Sequence, residues 1–103
     1  MNILDIQRAN AAKGGHYFDA ATMHFFRSRV LDTVYQGGGG IFFVTSEKGP
    51  HDDSPRMYTV REYHPATADV STAGIFNELT KAQAQRRAKQ YAEGTRTPSE
   101  DKH

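Results

Sequence analysis

The sequence predicts an α+β domain: an antiparallel sheet of three to four strands, a C-terminal helix on one face, and short N-terminal helices. Two observations carry this. Three β-rich runs, Ile41–Ser46, Arg56–Tyr63 and Val70–Phe76, are separated by turn-forming clusters, the pattern of an antiparallel meander. A capped stretch of helical periodicity beginning at Thr80 follows them.

Asn2–Lys13 reads as a short helix. Asn2 is a good cap, and Asp5 lies in the first turn, where the helix dipole favours an acid. Gly14-Gly15 stops it. Its large apolar residues are Ile3, Leu4 and Ile6, so weak docking is expected. Phe18–Arg29 reads as a second helix with Asp19 as N-cap. Phe18 and Met23 then form a hydrophobic staple. Phe26 and Val30 continue that face, and Phe25 adds a flank. A strand over Thr22–Phe26 competes with this reading, because Thr and Phe also favour strands.

Val30–Tyr35 is rich in β formers and reads as a strand, with Gln36–Gly40 a flexible turn after it. Ile41–Val44 shows no polar alternation, which predicts a central strand covered on both faces. Glu47–Pro55 is a polar loop. Arg56–Tyr63 alternates: Tyr58 and Val60 share one face with Arg56 and Glu62, and Met57, Thr59, Arg61 and Tyr63 share the other. His64–Asp69 is a turn, and Val70, Thr72, Gly74 and Phe76 lie on one face of the returning strand.

In the last helix, Thr80 and Gln83 form a capping box. Ala84, Ala88, Tyr91 and Ala92 line its buried face, and Gly94 ends it. Residues 1–94 therefore form one domain. Residues 95–103 hold Pro, Ser and charges without a large apolar group, and are expected to be a disordered tail.

The 103 residues suffice for a small core, rich in aromatics with 6 Phe and 5 Tyr. The absence of cysteine excludes disulfides and thiolate chemistry. No apolar run approaches the ~20 residues of a membrane helix. Asp5 and Arg8 stand where a secretory signal would be apolar. A cytoplasmic protein without a membrane partner is the expectation. Net charge is only +1, but Lys81, Arg86, Arg87 and Lys89 concentrate base on the last helix.

Catalytic signatures are sparse. Gly37–Gly40 runs into an apolar strand with no following Lys-Ser or Lys-Thr, unlike a phosphate loop. His51, Asp52 and Asp53 are the one cluster resembling metal ligands, and no second cluster answers it. No serine sits in a G-x-S-x-G elbow. The sequence thus predicts no enzyme, no cofactor and no metal.

Two surfaces can bind a partner. The strand face Met57, Thr59, Arg61 and Tyr63, if left uncovered by the N-terminal helices, is a Tyr/Arg/Met patch of the kind found at protein interfaces. Lys81, Arg86, Arg87 and Lys89 can instead track nucleic-acid phosphates. The open edge of a short sheet leaves room for pairing with a second copy.

The segments FDAATMHFFRSRV (Phe18–Val30), IFFVTSEKGP (Ile41–Pro50) and RMYTVREYHPATADVSTAGIFNEL (Arg56–Leu79) resemble a group of small uncharacterised proteins encoded by bacteriophages and mobile elements. The shared features are the MxFF-R-S-R run, the FVTSE strand end, and the YTVR strand followed by a turn and a T-x-G-x-F strand. The resemblance assigns no activity. It implies an accessory protein that binds a host protein, with nucleic acid as the alternative partner.

Overall fold

The computed structural model describes residues 1–24 and 27–101. Its elements are α1 (Ile3–Ala12), α2 (Ala20–His24), β1 (Arg29–Val30), β2 (Tyr35–Gly37), β3 (Gly40–Lys48), β4 (Arg56–His64), β5 (Asp69–Ala73), α3 (Lys81–Glu93) and a closing 3-10 turn, Pro98–Asp101. Among these residues the sheet is antiparallel and five-stranded, ordered β1–β3–β4–β5, with β2 sharing with β1 the edge of β3 opposite β4. This is the α+β architecture that the strand pattern predicts.

The apolar run becomes the central strand as expected, and Ile41–Ser46 are all buried. Alternation divides the sheet into two faces. Phe42 and Val44 join Val60 and Ala73 beneath α3. Ile41 and Phe43 join Tyr63 on the opposite face, beneath α1. The register sets Val44 opposite Val60, Thr45 opposite Thr59, and Phe43 opposite Arg61.

α3 buries Ala84, Ala88, Tyr91 and Ala92, the four positions the periodicity predicts. Their small side chains bring the helix close to the sheet, where Tyr91 meets Phe42 at 5.6 Å between ring centroids. Thr80 and Gln83 make the reciprocal capping box, and Gly94 ends the helix in the left-handed conformation. The glycine run is not a loose turn. Gly38-Gly39 is a tight connection seated on the end of α3, with the Gly39 N–H donating to the Ala92 carbonyl at 2.9 Å. A Cβ on Gly39 would collide with the Tyr91 carbonyl oxygen.

The N-terminal half departs further from expectation. α1 is capped by an Asn2–Asp5 box, and its docking is firm: Ile6 is fully buried and the Asn10 side-chain amide donates to the Ala68 carbonyl at 2.9 Å. Lys13 pairs with Asp69. The second helix is shorter than predicted. It covers Ala20–His24, and Arg29 already belongs to β1. Thr22 and Met23 are helical, against the competing strand reading, while Phe25 and Phe26 lie outside the described residues. Phe18 packs on Phe43, at 6.0 Å between centroids. The predicted strand Val30–Tyr35 is broken in two. Leu31 still donates to the Val44 carbonyl, but its side chain packs on the α3 side, whereas Val30 and Val34 pack on the α1 side.

The expected disordered tail is ordered as far as the described residues go. Asp101 is only 5% exposed, so the chain folds back onto α3. Lys102 and His103 lie outside the described residues. No helix among the described residues is long and apolar enough to cross a membrane.

Candidate functional site

α1 covers only half of its sheet face. Ile6, with Ile3 and Ala9, packs over Ile41, Phe43, Tyr63 and Val70. Beyond Phe43 the same face turns polar, with Thr45, Glu47, Thr59, Arg61 and Thr72. Over this polar half lies a pocket of about 400 Å³. Thr45, Glu47 and Arg61 form its floor, Tyr17 and Ala21–Met23 one wall, and Ser28 lines it as well.

Arg61 is the centre of this arrangement. A strand position opposite Phe43 buries it to 7% exposure, and a buried guanidinium requires compensation. Its Nε donates to Thr45 Oγ1 at 2.9 Å, and a terminal nitrogen donates to Thr72 Oγ1. The other terminal nitrogen faces Glu47 Oε1 at 3.5 Å. Its Cζ lies over the rings of Tyr17, at 5.6 Å, and Phe76, at 5.4 Å, two cation–π contacts. Phe76 is itself 53% exposed, leaving a large aromatic at the surface beside the pocket. Burial pushes the Tyr17 phenol up, and the Arg61 charge opposes it. The phenol therefore stays protonated as a neutral hydroxyl in the wall at neutral pH. The result is a preformed, uncharged-on-balance cavity with a fixed donor and a fixed acceptor on its floor.

The strand face that serves a partner only if the N-terminal helices leave it uncovered is covered. Thr59 and Tyr63 are 1% and 3% exposed, Arg61 is buried, and Met57 is half-buried. Alternation puts the four on one face, as predicted, but α1 and Tyr17-Phe18 pack over that face because Ile6 and Phe18 need the same apolar surface. Of the four, Arg61 lines the pocket, while Tyr63 is core and Thr59 is structural, its hydroxyl accepting from the Asn77 N–H at 2.8 Å.

The basic helix is also partly consumed. Lys81, Arg86 and Lys89 are exposed, and Lys89 lies 3.8 Å from Glu93. Arg87 instead pairs with the buried Asp101 at 2.9 Å. Arg96 and the Tyr91 hydroxyl converge on the same carboxylate. The Arg96 guanidinium, first among several donors, holds Asp101 down at about 2. Burial, reinforced by the carboxylate, pushes the Tyr91 phenol up to about 12. Arg87 thus closes the C-terminal segment onto the domain.

The remaining candidates do not assemble. The Gly39 N–H that a phosphate would need is given to Ala92. No group of three or more metal-ligating side chains occurs among the described residues, and Asp52 pairs with Arg27 at 3.1 Å. Sequence reasoning missed Tyr17, Met23, Ser28, Thr45 and Glu47 as site residues. The one usable signal was that Thr45 and Glu47 continue the alternation of Phe43, which places them beside Arg61 once β3 pairs with β4. All three segments quoted for the resemblance supply pocket residues: Met23 and Ser28 from the first, Thr45 and Glu47 from the second, Arg61 from the third.

A family model described as a family of unknown function, DUF7447, matches residues 2–90, from the cap of α1 to the last turn of α3. No curated protein and no solved structure matches the chain.

Proposed function

We propose, from the premise that this chain belongs to that family of unknown function, that it is a small non-enzymatic binding protein that engages a host macromolecule through the Arg61 pocket. A role as an accessory protein of a phage or mobile element is part of this proposal. The observation that carries it is the guanidinium fixed on the floor of a cavity of about 400 Å³ by two threonines, a carboxylate and two rings. Such preorganisation removes the ordering cost a flexible arginine would meet on binding. Enclosed pockets with a few placed polar groups are where small groups and partner side chains anchor.

The test is capture of partners by the immobilised protein from nuclease-treated bacterial lysate, comparing wild type with Ala21→Arg. Ala21 is an exposed wall residue, so the long side chain fills the mouth without disturbing the core. Capture by wild type that is lost in the variant supports the reading. Equal capture by both refutes it.

A second reading keeps the nucleic-acid alternative, supported by the exposure of Lys81, Arg86 and Lys89 on one helix. Replacing these three with Gln should weaken nucleic-acid binding and flatten its dependence on salt. An unchanged salt slope counts against it.

A further inference from the structure

The floor of the Arg61 pocket presents a donor beside a carboxylate, and that pattern selects a ligand group. The inference rests on the reading that this pocket binds. Arg61 and Glu47 stand at 3.5 Å, the outer limit of a hydrogen bond, so the two groups lie side by side and are not closed tightly on each other. Their charges cancel. A lone carboxylate or a lone ammonium would meet one attraction and one repulsion at similar range. A neutral planar edge that accepts from Arg61 and donates to Glu47 satisfies both and replaces one long contact with good ones. Tyr17 and Met23 supply an aromatic ring and a thioether on the wall for such a plane to lie against. The volume, about 400 Å³, is at the small end for ligand pockets and suits one ring system.

We infer that the pocket takes a guanine base. The base O6 accepts from Arg61, and N1–H and N2–H donate to the two oxygens of Glu47. Guanine is the base whose pairing edge carries an acceptor followed by two donors. Adenine offers a single donor beside an acceptor, and uracil sets a second acceptor against the carboxylate. The guanine can belong to a free nucleotide or to an unpaired position in a single strand.

The experiment is an amide NMR titration of the full chain with guanosine, inosine and adenosine 5′-monophosphates, each to about 5 mM, a range that detects millimolar affinity. A short oligothymidine carrying one central guanine is titrated alongside. Guanosine monophosphate should shift Tyr17, Thr45, Glu47 and Arg61. Inosine, which lacks the N2 amino group, should bind several-fold more weakly, and adenosine more weakly still. Glu47→Gln should lower guanosine affinity about 5- to 100-fold, the range of one bidentate base contact. It should also abolish the preference over inosine, and its own spectrum reports whether it folds. Ala21→Arg, an independent block of the mouth, should remove the shifts. Tighter binding of the oligonucleotide than of the mononucleotide assigns the base to nucleic acid; equal or weaker binding assigns it to a free nucleotide.

Absence of pocket shifts at the highest concentration, equal response to guanosine and adenosine, or an unaffected Glu47→Gln or Ala21→Arg overturns the inference. If guanine fails while Ala21→Arg still abolishes macromolecular capture, the pocket reading stands and only the ligand is wrong. If capture survives Ala21→Arg as well, both fall.

Discussion

Substituting Asp101 by Asn should destabilise the domain by about 2 kcal/mol at neutral pH. Its side chain is 3% exposed and takes Arg87, Arg96 and the Tyr91 hydroxyl at once. Hydrogen bonds from Arg96 and the Tyr91 hydroxyl, with the Arg87 charge, hold the carboxyl at about 2, against about 4 for a free carboxylate. A carboxylate whose folded value is lowered contributes stability that is complete above its unfolded value and disappears as pH falls through the folded one. The window is therefore from about pH 4 down to about pH 2, and roughly half of the contribution should be gone near pH 3. Asn keeps the shape but not the charge, and it leaves Arg87 facing an uncharged amide. For a domain of this length, about 2 kcal/mol corresponds to a Tm lower by roughly 8–16 °C. Urea unfolding followed by circular dichroism, for wild type and Asp101→Asn near pH 7 and near pH 3, measures the gap at each pH. A gap under about 0.5 kcal/mol near pH 7, within the range of a neutral surface change, would refute the argument. So would a gap that does not shrink in acid.

The alkaline side has the opposite sign. Tyr91 is raised to about 12 in the folded state, so its contribution is full below about pH 10 and is lost as pH climbs towards 12; ultraviolet phenolate titration of wild type against Tyr91→Phe should remove the last-titrating tyrosine. Gly39→Ala should cost about 1–3 kcal/mol by overpacking, because its new methyl meets the Tyr91 carbonyl, while Gly38→Ala has open space and should be close to neutral in the same melt. Thr80→Ala should cost about 1 kcal/mol through loss of the α3 cap, with its hydrogen bond from the Gln83 N–H at 3.2 Å removed; a thermal melt unchanged within error would count against the capping argument.

Much of the fold was legible because its determinants are local. The Thr80–Gln83 box, the alanine stripe of α3, the Gly94 stop and the Asn2 cap each depend on residues three or four apart. The break between Val30 and Tyr35 was not legible, since β propensity there is continuous and the interruption follows from which side of the sheet Leu31 and Val34 are drawn to. The tail misled for a similar reason. Composition marks residues 95–101 as solvated, and only the meeting of Asp101 with Arg87 and Tyr91 on the folded helix orders them.

What the sequence determined by itself is the three-strand meander, the capped last helix, the two faces of the sheet and the placement of Met57, Thr59, Arg61 and Tyr63 on one of them, because period-two alternation is a property of the strand alone. What only the tertiary structure decided is which half of that face is covered. Ile6 and Phe18 close the apolar half over Phe43, and the polar half at Thr45, Glu47 and Arg61 is left beneath a cavity. That division depends on β3–β4 register and on the docking of α1 and Tyr17-Phe18 from far along the chain. Burial at a given strand position is set by what packs on it from a distance, and no local pattern carries that information.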